Sequence, residues 1–271
     1  MNRGLILRAL RESWPATLAL GLVLALLELA LAYILPGFGA KMSQEWLQID
    51  FVRSILQTML GTEIGGRLGL PVFHAMAWIH PVVLALISAH AMLQCTRVPT
   101  GEVDRGTVDV LLGLPVSRWE VFVSETFVWL LLGILLMTAA AVGNELGTLG
   151  LPLANRPEPM HVLAVLINLF CLYLTVGGLT CLIASVSDRR GAAITAVFLI
   201  LVALVLLDYL AQFWAPLEKI AFVSPLHYHR PILVLQSGLW PWKNCAVLTI
   251  VGAGLWYAGG VVFSRRDLCT V

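Results

Sequence analysis

The sequence predicts an all-α integral membrane protein with six transmembrane helices and both termini in the cytoplasm, and three observations carry that prediction. Of 271 residues, 59% are hydrophobic and only 12% charged, with a mean hydropathy of +0.88, whereas soluble domains carry about 25% charged residues. Six stretches, 14–35, 72–95, 121–143, 161–186, 191–213 and 244–263, are apolar over the roughly 20 residues that a helix needs to cross a hydrocarbon core about 30 Å thick. The basic residues are unevenly divided between the segments that alternate across the membrane.

That division sets the orientation. With the N-terminus inside, the inner segments hold Arg3, Arg8, Arg11, Arg97, Arg105, Arg118, Arg189, Arg190, Arg265 and Arg266, and the outer ones hold Lys41, Arg53, Arg67, Arg156, Lys219, Arg230 and Lys243. The inner segments total roughly 50 residues against roughly 80 outside, so basic density more than doubles on the side that cytoplasmic loops occupy. The formal net charge is +1, which offers no pull toward nucleic acid.

Taken in chain order, the first span follows Arg3, Arg8 and Arg11 and contains Ala30 to Ala32. That pattern resembles a secretory signal, but the apolar run is too long for a signal core and is expected to stay. Segment 43–60 places Ile49, Val52, Leu56 and Met59 at helical steps of three and four, an amphipathic helix suited to lie on the outer leaflet with Trp46 at the interface. The second span carries His74, His80 and His90. At 100° per residue, His80 falls about 240° and His90 about 160° around the helix from His74, so they do not converge as metal ligands do. His80 precedes Pro81 and a kink is expected there; His90 is expected to bond a neighbouring helix. Between the fifth and sixth spans, segment 214–242 is half apolar and carries Pro216, Pro225, Pro231 and Pro241, which suits short interfacial or re-entrant helices. The five cysteines form no C-x-x-C pair and read as small buried hydrophobes rather than disulfides or metal ligands.

Segment 99–120 is the unusual one, with six charged residues in its last twenty positions. Pro99, Gly101 and Gly106 break any continuation of the second span, Thr107 can cap a new helix with Asp109 in its first turn, and Val108, Leu111 and Leu112 share one face. Gly113 and Pro115 stop that helix, and Ser117 with Glu120 forms a capping box that launches the third span. The result is a stiff loop carrying a short amphipathic helix, which by itself is also an ordinary capped connection.

The run "GEVDRGTVDVLLGLPVSRWEV" resembles the cytoplasmic signature of type-2 ATP-binding-cassette (ABC) transporter permeases, roughly E-x-(D/E)-R-G-T-x-x-x-L-L-x-x-P-(V/I)-S-R. Glu102, Asp104, Arg105, Gly106, Thr107, Leu111, Leu112, Pro115, Val116, Ser117 and Arg118 match it. His80-Pro81 and the terminal "FSRRDL" from Phe263 are weaker echoes. The resemblance implies a type-2 ABC exporter-like membrane domain over residues 1–271, in a bacterial-type cytoplasmic membrane. The 99–120 loop would be the coupling helix that docks on a separate ATPase subunit. Leu111 and Leu112 would either fill a groove on that subunit or rest on the bundle; Glu102, Asp104, Arg105 and Arg118 would pair with its charges or close bridges within the hairpin. Two ATPase subunits and a second permease chain, identical or different, complete the implied complex.

No cofactor is expected in this chain. Only Lys41, Lys219 and Lys243 exist, and none follows the Gly-x-x-x-x-Gly of a phosphate-binding loop, so ATP and Mg would be bound by the partner. Three intramembrane polar residues are candidates for a substrate path: Glu28, Asn168 and Asp208. A charge at the centre of a span costs about 3 kcal/mol on insertion scales, so each must face protein or water. For Glu28 a path role and a structural hydrogen bond weigh equally, while for Asn168 and Asp208 the structural role leads. Two other readings remain open: an intramembrane enzyme built on the histidines, and a subunit that transmits ATPase motion to an extracytoplasmic partner without transport.

Overall fold

The computed structural model describes residues 3–41, 70–106, 113 and 115–266. The amphipathic segment 43–60 and the helix expected from Thr107 through Leu112 lie outside the described residues. Six helical stretches long and apolar enough to cross a membrane account for most of the rest, and there are no strands among the described residues. They are α1 (Arg3–Lys41), α2 (Leu70–Trp78) with α3 (Pro81–Cys95), α5 (Arg118–Thr148), α6 (Pro159–Val186), α7 (Arg190–Leu210) and α10 (Trp242–Arg265). A one-turn helix, α4 (Gly101–Asp104), follows the second span; α8 (Ala215–Glu218) and α9 (Pro231–Ser237) lie between the fifth and sixth.

Several helices run past the apolar stretches that reveal them. The first apolar stretch begins at residue 14, but α1 begins at Arg3 and is 39 residues long, about 58 Å at 1.5 Å per residue. Hydropathy marks only the part that sits in hydrocarbon. The charged turns of α1 continue beyond it because good helix formers such as Leu, Arg and Glu keep the backbone helical. The second span breaks at His80 and Pro81. Pro81 opens α3 at a position where its missing N–H costs nothing, and the His80 Nδ1 accepts from the Val82 N–H at 3.3 Å.

Two pairs of helices meet backbone to backbone. A Cβ placed on Gly143 of α5 would lie 2.1 Å from the Ala25 carbonyl oxygen of α1, and one on Gly178 of α6 would lie 2.2 Å from the Gly252 carbonyl oxygen of α10. Small residues permit this approach, and in a bilayer dispersion across such seams replaces the hydrophobic drive that water supplies. The α6 helix is the centre of the bundle: 61% of its most apolar window is buried, against 17% for α7 at the periphery.

A third bond set ties four spans near mid-bundle. Buried His90 on α3 has its Nε2 3.0 Å from the Thr17 hydroxyl of α1 and its Nδ1 3.0 Å from the Tyr173 hydroxyl of α6, and Tyr173 donates in turn to the Trp129 carbonyl of α5. We assign the proton to Nδ1, because Tyr173 spends its own proton on Trp129. Gln94 adds a bond to Thr17.

Replacing Gly143 with Val is expected to push α1 off α5 and cost roughly 1–3 kcal/mol. Thermal unfolding of the detergent-solubilised protein reads this as a lowered midpoint. Gly254→Ala, where an added methyl meets nothing within 4 Å, is expected to leave the midpoint unchanged.

Candidate functional site

The densest polar structure lies at the end of the bundle where α1 starts and α10 stops. Thr96 ends α3 with its hydroxyl donating to the Met92 carbonyl at 2.7 Å, and the Gly101 N–H returns to the Thr96 carbonyl at 3.0 Å, turning the chain. Buried Thr100 then donates to the Ala184 carbonyl of α6 at 3.0 Å, seating α4 against that helix. Gly106, with φ +67°, ends the turn in the left-handed region that glycine occupies without a Cβ penalty. Sequence reasoning treated Gly101 as a breaker and missed α4; the signal was Thr100 at its N-cap position with two acids in the turn that follows.

Of the two acids of α4, Glu102 faces inward and Asp104 is exposed. Glu102 is 1% exposed; its Oε1 accepts from Arg8 Nη2 of α1 at 2.9 Å and from Arg105 Nη2 at 2.9 Å. Arg8 also donates to Glu12 at 2.9 Å. Arg97, 8% exposed, forks between two helices, pairing with Glu12 of α1 and with Glu125 of α5, where its Nε donates to Oε2 at 2.9 Å. Asp104 accepts from the Arg190 N–H that opens α7, at 3.4 Å, while the Arg190 side chain donates to the Thr96 hydroxyl at 3.1 Å and the Leu93 carbonyl at 2.8 Å.

The remaining spans join the same layer. The Ser117–Glu120 capping box is formed, with the Glu120 N–H donating to Ser117 at 3.1 Å. Arg118 donates to the Arg266 carbonyl at the end of α10; Arg266 donates to the Ser185 and Ser187 carbonyls at 3.1 and 2.9 Å and pairs with Asp188. Among the matching residues of the 99–120 loop, Glu102, Asp104, Arg105, Gly106, Ser117 and Arg118 thus sit in one polar layer, with Pro115 beside it in sequence. Thr107, Leu111 and Leu112 lie outside the described residues. Nothing local in the sequence joins Arg97 to Glu12 and Glu125, which stand only as charges beside apolar runs; the helix register that brings them together is tertiary.

The three candidate path residues are dispersed. Glu28 is fully buried in the α1–α5 seam and accepts from the Asn144 amide at 3.2 Å. Asn168 is buried on α6; its amide donates to the Tyr228 carbonyl at 3.2 Å and approaches the Cys245 Sγ, and its oxygen accepts from His229 Nδ1 at 2.8 Å. Burial lowers the His229 pKa to about 4, so this ring is neutral. Asp208, 12% exposed, accepts from Arg230 at 3.2 Å with His227 3.8 Å away. Of the three, Asp208 borders an apolar groove of about 470 Å³ between α3, α6 and α7. The second-span histidines serve three separate bonds, His74 meeting the Asn155 carbonyl at 3.0 Å.

A helical bundle of six apolar spans, with one end locked by charge around a short polar loop, defines a multi-pass membrane protein. The chain belongs to a known family of membrane proteins: the family described as ABC-2 family transporter protein matches residues 8–268. It is therefore a permease subunit of an ABC transporter. None of the curated proteins compared with the chain matches it.

Arg97→Met is expected to strand Glu125, while Glu12 keeps Arg8. Removing one partner of a buried pair costs about 3–5 kcal/mol, and the low end of about 3 applies because Glu125 is 16% exposed and Glu12 retains a second cation. Arg97→Lys should recover only part of the loss, since an ammonium lacks the planar fork that bonds both Glu125 oxygens while a third nitrogen reaches Glu12. Denaturation in detergent orders the three proteins; equal stability would remove Arg97 from the lock.

Proposed function

We propose that this permease couples ATP hydrolysis by two separate ATPase subunits to export of a substrate across a bacterial-type cytoplasmic membrane. It does so as one half of a homodimeric or heterodimeric membrane domain. The termini and the 99–120 loop face the cytoplasm in this reading, as the basic residues direct.

The observation that carries it is the lock on α4. Glu102 is bonded to α1, Asp104 to the start of α7, and Thr100 to the end of α6. A push delivered to α4 reaches three spans through direct bonds, which is what rigid-body rocking of a transporter requires. In this reading Leu111 and Leu112 supply the docking contacts for the ATPase, with Thr107, Pro115 and Ser117 part of the same signature, and Glu102, Asp104, Arg105 and Arg118 carry the load to the bundle. ATP and Mg belong to the ATPase partner. Glu28 and Asn168 act as packing bonds, and Asp208 serves the substrate groove.

Co-expression with the cognate ATPase tests both halves. Leu111→Asp with Leu112→Asp is expected to weaken ATPase recovery roughly thirty-fold or more, the scale of losing about 2 kcal/mol from an interface centre, while the permease stays folded. Arg8→Gln leaves that face intact, so ATPase should co-purify at the usual level with lower substrate-stimulated turnover. Full recovery and turnover in the leucine variant would move the docking site elsewhere; no ATPase on the wild-type chain would end the coupling reading.

A further inference from the structure

The groove beside Asp208 has the dimensions and polarity of a site for one lipid-like molecule. Its volume of about 470 Å³ falls within the range of small-molecule sites. It is open along one flank, and apolar side chains line its body, among them Leu84 and Met92 of α3, Leu172 of α6, and Val202 and Val205 of α7. From Phe198 to Tyr209, both on its wall, α7 rises about 16 Å at 1.5 Å per residue. One leaflet of a hydrocarbon core is about 15 Å deep. The groove therefore spans one leaflet and ends where α7 ends.

Its charged groups gather at that end. Asp208 lies two residues before the last of α7, and Arg230 reaches it from the segment preceding α9. Both border the groove, as does Gln212. Arg230 also donates its Nε to the His227 carbonyl at 3.2 Å, which fixes the guanidinium beside the carboxylate. A ligand head with net negative charge would meet Asp208, and one with net positive charge would meet Arg230. A head carrying both signs opposes each to its complement.

We propose that the groove binds a single-chain zwitterionic amphiphile of the leaflet at the α7 C-terminal end, its chain along α3 and α7 and its phosphate and ammonium against Arg230 and Asp208. This deepens the transport reading, on which it rests, by naming a cargo class. Binding is nonetheless a property of this chain alone and is measurable without the ATPase.

Native mass spectrometry of the permease in a neutral maltoside detergent, with added lysophosphatidylethanolamine or lysophosphatidylglycerol, reads retained adducts. Wild type is expected to retain one zwitterionic lipid per chain with about ten-fold preference over the anionic one, the scale of a single favourable charged contact. Asp208→Asn should bring the two lipids to parity, whereas Arg230→Gln, which removes the partner of the phosphate that both carry, should lower retention of both and keep the zwitterionic preference. Val202→Trp and, from the opposite wall, Ser88→Trp should abolish retention of both, so that misfolding of one variant does not decide the result. Equal retention of the two lipids by wild type, or undiminished retention in a folded tryptophan variant, would overturn the site while leaving ATPase recruitment untouched. Loss of ATPase recruitment with intact lipid selectivity would do the reverse.

Discussion

The structure depends on Arg97. A guanidinium at the edge of a bilayer must keep partners, because desolvated charge is expensive and an unpaired one more so. Here the fork satisfies one acid on α1 and another on α5, just past the end of α3. Three spans that approach from different parts of the chain are thereby fixed at a single level. Arg8 then carries the bonding from Glu12 to Glu102, and the loop that follows the second span inherits its position from that chain of pairs.

Below the charged layer, cohesion changes character. Gly143 against Ala25 and Gly178 against Gly252 bring backbones closer than any side chain permits, while His90, Tyr173 and Thr17 add hydrogen bonds where water is absent. Peripheral α7 has neither a glycine seam nor extensive burial. It is held at its start by Arg190 and near its end by Asp208 with Arg230, and the groove lies along the wall between these two attachments.

Much of this was legible in the sequence, for identifiable reasons. Apolar length exposes a span because the bilayer is a fixed ruler, so six helices could be counted; Ser117 and Glu120 announced a helix start because a capping box is local chemistry. Pro81 marked the break in the second span for the same reason. Sequence periodicity did not reveal that Arg97 selects Glu12 and Glu125, since those partners lie 85 and 28 residues away. Nor did it show that Arg230 closes on Asp208, because the proline-rich segment around Arg230 has no period to read. Glu28 illustrates the boundary between the two: its presence in a span demanded a partner, and only the packing of α1 on α5 identified Asn144.

The two glycine seams have a mechanical consequence. Helices whose backbones touch cannot slide or tilt against each other without steric overlap, so α1 with α5 and α6 with α10 each behave as one body. Six spans therefore supply only four moving parts. Any cycle that opens one face and closes the other must place its relative displacement between those bodies, and peripheral α7, attached near its two ends, is the part with most freedom to take it up.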